Sequence, residues 1–287
     1  MVELDEAQRH KAFFNFINER HVIYVNKEAG ADFPWTEDEI LRKYSFCNVF
    51  RELDTVTKWI RSNWCEPYME HPNVPFAMAV ARQINWPATL EEIGFPDKWE
   101  PERVKKIMQD RKDAKKKVYT GAYMLTGTLG GSKVEQTVDK ILTPLYNNPP
   151  YLHMDSLEKT WKNYLPYAGF SGFMAYEVVT DLRHTKYLKN ADDINTWANA
   201  GPGAVRGLNR IHNRDIKKSL TKKASCKEMY DLLMIADRYL EKHVPVLEMR
   251  DIEHCLCEFD KYERTRLGQG KPRSQYKPNR KKEEWEK

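Results

Sequence analysis

The chain has 287 residues, 41% apolar and 31% charged, which excludes a disordered polymer and leaves room for one large domain or two intimate ones. Net charge is +5, and the residues from Asp260 onward carry ten Lys/Arg against five Asp/Glu, an excess equal to that of the whole chain. Together with a second basic stretch, PERVKKIMQDRKDAKKK from Pro101, this favours contact with a phosphate backbone, while no apolar run reaches the roughly eighteen residues of a membrane-spanning helix.

In chain order, Phe13, Phe14, Phe16 and Ile17 predict an amphipathic helix within 4–19. Thr36 and Glu39 have capping-box spacing ahead of Ile40 and Leu41. From Tyr44, the apolar positions Phe46, Val49, Phe50, Leu53, Val56, Trp59 and Ile60 recur at helical spacing, so a helix is expected there. Further helices are expected over 73–93, 101–117 and 133–145, the last opened by the Gly-rich TGTLGGSK, with NNPP at 147–150 as a break. The remaining helices fall at 156–164, 173–182, 204–211, 226–242 and 243–262. No strand alternation or repeat is visible, so the expectation is a single all-α domain over 1–268, or two intimate helical lobes, then a basic tail over 269–287.

Five cysteines occur at irregular spacing, and the Cys255/Cys257 pair has no histidine pair at zinc spacing, so reduced thiols and no metal or other cofactor are expected. The N-terminal MVELDEAQRH lacks an apolar signal core, which predicts a cytoplasmic, nucleoid-associated protein. The 12% aromatic content supplies rings for core packing and for stacking on bases.

The stretch LPYAGFSGFMAYEVVTDLRHT from Leu165 reads helix, tight turn, helix. Gly169, Ser171 and Gly172, with Ala175 four residues past Ser171, resemble the L-P-G-x-G-x-x-x-A hairpin of helix-hairpin-helix DNA glycosylases, with Ser171 in place of the second glycine. Glycine permits the left-handed turn, and the next helix start points backbone N–H groups at a phosphate. That family carries a catalytic Asp further on in a V-D-T-H-like string. The resemblance selects Asp193 as the catalytic acid, with Asn195 beside it and Trp197 close by, although capping a helix is nearly as good a role for Asp192 and Asp193. Bifunctional members have a Lys where Phe173 stands, so the resemblance implies monofunctional hydrolysis.

The strings FCNVFRELDTVTKWI, TWANAGPGAVRGLNRI and CLCEFDKYERTRLGQGKPRSQY resemble the helical domain of 5-hydroxymethyluracil DNA kinases and related DNA base hypermodification proteins, grouped with alpha-glutamyl/putrescinyl thymine pyrophosphorylases. The resemblance covers roughly residues 10–276 and implies work on modified bases in phage DNA, for hypermodification or antiviral defence. GTLGGSK departs from the P-loop pattern, with Ser132 before Lys133 and Val134 after it.

Two charged constellations complete the candidates. Glu52 and Asp54 are alternative catalytic acids beside Arg51, with Phe46, Asn48 and Tyr123 as base-pocket residues. In CEFDKYER, Glu258 joins Asp260 and Lys261, and Asp260 and Arg264 have the spacing of a helical ion pair; internal salt bridging is the competing role for both sets. Expected contacts to double-stranded DNA are Arg206, Arg210, Lys261, Arg264, Arg266, Lys271 and Arg273, besides the hairpin. The leading functional expectation is a base-flipping glycosylase for a modified pyrimidine. A transferase attaching an amine or amino acid to an activated 5-methyl group and a non-catalytic DNA-binding module are the alternatives.

Overall fold

A computed structural model describes residues 5–120 and 129–276. Among them the fold is all-α, without a strand, and a single antiparallel bridge joins Tyr44 to Gln275. None of the described helices is long and apolar enough to cross a membrane.

The helices run in chain order. α1 (Glu6–Glu28) opens with a capping box in which Asp5 accepts from the Gln8 amide, and it buries Phe13, Phe14, Phe16 and Ile17. α2 (Glu39–Lys43) starts at Asp38, whose carboxylate accepts from the Ile40 and Leu41 amides, so the expected Thr36 cap is displaced by two residues. Thr36 instead donates its hydroxyl to Glu19. α3 (Thr55–Ile60) continues into a π-helical turn, Arg61–Cys65. α4 (Val74–Ile84) and α5 (Pro87–Ile93) replace the single helix expected over 73–93. Asn85 takes a left-handed φ of 50° between them, and Pro87 fits only a first turn. α6 is Pro101–Asp113. α7 (Lys133–Glu135), its π-helical extension Gln136–Leu142 and α8 (Thr143–Asn147) follow. α9 (Leu157–Tyr164) and α10 (Gly172–Leu182) flank the glycine turn. α11 (Pro202–Ile211), α12 (Lys222–Ile235) and α13 (Met249–Arg266) complete the fold.

The described chain divides into two units, one formed by 5–54 and 194–276, the other by 55–120 and 129–193. In the first, α13 packs along α11 and also meets α1, α2 and α12. Small residues make the α11–α13 approach possible: a Cβ on Gly207 would strike the Leu256 carbonyl, and one on Gly203 would strike Cys257 Sγ. The part of the expected basic tail up to Tyr276 is held to this unit, with Ser45 donating its amide to Ser274 and Tyr276 donating to Lys43.

In the second unit, α10 packs on α4 and α9. Gly169 has φ 77°, and a Cβ there would lie 2.6 Å from Ile141 Cδ1, so both backbone and space require glycine. The buried Arg82 guanidinium is clamped by Asp181 at 2.5 Å, Thr57 at 3.1 Å and Asn85 at 3.3 Å.

Candidate active site

The segment from Tyr44 to Asp54, expected to be helical, runs as an irregular turn with one 3-10 stretch, Arg51–Leu53. Its backbone polar groups find side-chain partners in place of a helical ladder. Arg20 donates to the Phe46 carbonyl at 3.1 Å, the Cys47 carbonyl at 2.9 Å and Asn48 Oδ1 at 2.9 Å. The Cys47 amide donates to Glu258 at 2.9 Å, and the Asn48 amide donates to Asp54 at 2.9 Å. Tertiary partners thus outweigh the helical periodicity of the apolar residues.

This turn lies against α13, which presents Glu253, His254, Glu258 and Lys261. Glu253 accepts the Gly201 amide at 3.1 Å, just before α11 begins. Burial pushes its carboxyl up to about 7, against pulls downward from the Gly201 hydrogen bond and Arg51. Burial also lowers the pKa of His254, opposed by Asp54 and reinforced by Arg51. Burial pushes the Cys47 thiol up, assisted by Glu258 and Asp54. Glu258 moves the other way: its pKa is lowered because Lys261 and His254, a hydrogen bond from Lys261 and the Cys47 amide together exceed the opposing effect of burial.

Cys47, Asp54, Glu253 and His254 nevertheless retain partial exposure. These partly exposed groups lie between the 44–54 turn and α13, and that position is called the α13 cleft. The cleft holds carboxylates, an imidazole and a thiol beside guanidinium and ammonium groups, a set suited to polar anionic ligands and to proton transfer.

The residues named from sequence fall into distinct settings. Arg51, Asp54, Phe46 and Asn48 share this cleft region. Asn48 Nδ2 is engaged by the Leu53 carbonyl at 3.0 Å and Asp54 at 3.1 Å, so both its amide protons orient the turn. Phe46 lies under Lys261 Nζ, 4.6 Å from the ring centroid, and Lys261 also pairs with Glu258 at 2.9 Å. Glu52 pairs with Arg250 at 2.8 Å.

Asp193 lies in the other unit, where it accepts from Ser156 Oγ and the Leu157 amide, both at 2.7 Å, and from the Glu158 amide at 3.0 Å. This is the helix-capping alternative, at the start of α9. Asn195 is exposed in the turn that follows, and Trp197 is buried. Tyr123 lies outside the described residues. Ser171 is the N-cap residue of α10, whose first turn begins at Gly172, with Phe173 exposed.

Among the basic candidates, Arg206 and Arg210 both pair with Asp260, at 2.7 and 2.8 Å. This corrects the expected Asp260–Arg264 pair: α11 reaches the carboxylate across the small-residue contact. Arg266 pairs with Glu263 at 2.7 Å, and Arg264 packs beside Gly270. Lys271 and Arg273 are exposed.

Sequence reasoning missed Glu253 and His254. A Glu-His step inside a charged helix carries no signal by itself; its significance comes from the α11 glycines and the 44–54 turn.

These features define an all-α protein with a charged cleft built on paired helices. Residues 7–271 match the family described as 5-hmdU DNA kinase, helical domain, and the chain belongs to that family. It is similar to the 5-hmdU DNA kinase of Bacillus phage SP10, 26% identical over 286 residues, covering 87% of this chain and 44% of that protein. The chain therefore spans less than half the length of this relative. No solved structure matches.

Proposed function

We propose that this chain is an enzyme acting on a 5-hydroxymethyl-type pyrimidine in double-stranded DNA, with its chemistry at the exocyclic 5-methylene. The observation that carries this reading is the α13 position where Arg51 acts on the Glu253 carboxyl, in a chain matched over 7–271 to a family named for a 5-hydroxymethyl base. The base is taken out of the helix to reach the cleft. Phe46 offers a ring for stacking, and exposed Lys271 and Arg273 supply phosphate contacts.

The reaction is a transfer. An amine nitrogen attacks the 5-methylene carbon of a base bearing a phosphate-type leaving group. A C–N bond forms, the C–O bond breaks, and the leaving group departs with the electron pair. Arg51 faces the departing anion, and Glu253 accepts the proton released by the amine. Asp54 and Glu52 position the turn that carries Arg51. The P-loop pattern does not occur in these 287 residues, and the transfer proposed here starts from a base whose hydroxyl is already activated.

A second reading is hydrolytic excision of the modified base. The Gly169 turn and the α10 start favour it, with Phe173 in place of a lyase lysine implying a monofunctional reaction.

The test uses duplex DNA carrying 5-hydroxymethyluracil, free or phosphorylated at the hydroxymethyl oxygen, with and without a mixture of amino acids and polyamines. Digestion to nucleosides and mass spectrometry follow. A heavier nucleoside that requires both the phosphate and the amine is expected, falling on the order of 10²-fold or more in Glu253→Gln. Free base with alkali-labile strands establishes excision instead. Binding with neither product reduces the chain to a recognition module and overturns both enzymatic readings.

A further inference from the structure

The region beside Glu253 contains a group of side chains to which the transfer reaction gives no bond-making or proton-transfer step. One ligand atom each from Cys47, Asp54 and His254 lies within 4.8 Å of the other two. Among the described residues no hydrogen bond joins these three side chains to one another, although all are polar and converge. His254 Nε2 is buried with no hydrogen-bond partner among the described residues. An orphaned nitrogen on an imidazole that lies beside a thiol and a carboxylate leaves hydrogen-bonding capacity unused unless a further atom engages it.

The surroundings orient the three groups. His254 is carried on α13, which fixes its backbone. The Asn48 amide and Nδ2 hold Asp54 Oδ1 at 2.9 and 3.1 Å. The Cys47 amide is tied to Glu258 at 2.9 Å. Asn48 therefore holds the Asp54 carboxylate with two hydrogen bonds, as an outer partner does when it fixes a ligand rotamer around an ion.

We infer that Cys47, Asp54 and His254 form a binding site for a divalent transition metal of the zinc class, with three protein ligands and an open fourth position. One sulfur, one nitrogen and one oxygen suit a borderline-soft cation, whereas calcium and magnesium call for oxygen alone. Tetrahedral coordination at zinc bond lengths places ligand atoms roughly 3–4 Å apart, so the group needs only slight closure. The partial exposure of all three residues gives an ion access from solvent. The site stands independently of the proposed transfer reaction, since it is read out by metal binding without DNA.

The test begins with the full chain, expressed in zinc-supplemented medium and purified without chelator, and its metal content by mass spectrometry. The stripped protein is then titrated with Co²⁺. The expected result is stoichiometric metal, with a thiolate-to-cobalt charge-transfer band in the near ultraviolet. Cys47→Ser is expected to abolish the band and weaken binding on the order of 10²-fold or more, while Asn48→Ala keeps the band and weakens binding about 10–100-fold. Cys226→Ser should change neither. X-ray absorption on the unmodified protein needs no variant and should find one sulfur among nitrogen and oxygen neighbours. Absence of stoichiometric binding, a shell without sulfur, or a band that survives Cys47→Ser would overturn the site. Loss of base modification with metal binding intact would count against the transfer reading alone.

Discussion

Each unit buries a charged cluster, and the two clusters are satisfied differently. In the second unit Arg82 and Asp181 are enclosed, and every guanidinium nitrogen has a partner in Asp181, Asn85 or Thr57. In the first unit the α13 cleft keeps partial exposure, holds a carboxyl pushed up to about 7, and leaves His254 Nε2 without a described partner. A saturated cluster locks helices together, whereas an unsaturated, accessible one is equipped to engage something else. Burial of charge alone does not mark a site; incomplete satisfaction at an accessible position does.

Removing a partner from the saturated cluster gives the sharpest contrast. Asp181→Ala leaves Arg82 buried and uncompensated and is expected to cost ~3–5 kcal/mol in denaturant unfolding. DNA chemistry per folded molecule should be unaffected; equal stability would break the comparison.

Gly169→Ala should follow at about 2–4 kcal/mol, because it adds left-handed strain to a clash with Ile141. Thermal unfolding of the two proteins side by side checks it. A neutral result would mean that the turn relaxes freely.

The cleft should respond in the opposite direction. Glu253, raised from 4.5 to about 7, keeps its proton in the folded chain at pH values where the unfolded chain has lost it. Its contribution therefore lowers stability as pH rises from 4.5 to about 7, with the full cost present above that range. In chelator-treated protein, Glu253→Gln is expected to gain on the order of 1–3 kcal/mol above pH 7 and nothing below pH 4.5. Chemical denaturation across pH measures this, and a pH-independent difference would place Glu253 with the saturated class.

The smallest effect belongs to the exposed arm. Replacing Lys271 and Arg273 together by Ala should weaken DNA binding evenly across sequences and reduce the slope of log affinity against log salt by about 1–2. An unchanged slope in a salt titration would remove this arm from the DNA contact.

The sequence by itself determined the all-α class, most helix positions and the family, because helical periodicity and long matched strings are local properties of the chain. It also marked Phe46, Asn48, Arg51 and Asp54. Tertiary structure decided their roles. The 44–54 segment has helical periodicity, yet Arg20, Asp54 and Glu258 take its backbone groups and hold it as a turn. Asp193 lies just upstream of a motif-like string, yet three donors at the α9 start engage it. Arg206 and Arg210 look like DNA contacts in sequence and converge on Asp260 in space. Glu253 and His254 became visible only when α11 closed on α13 and desolvated them. Periodicity follows from the covalent geometry of one segment, whereas hydrogen-bond satisfaction and desolvation depend on which distant segments meet, and that is decided by packing.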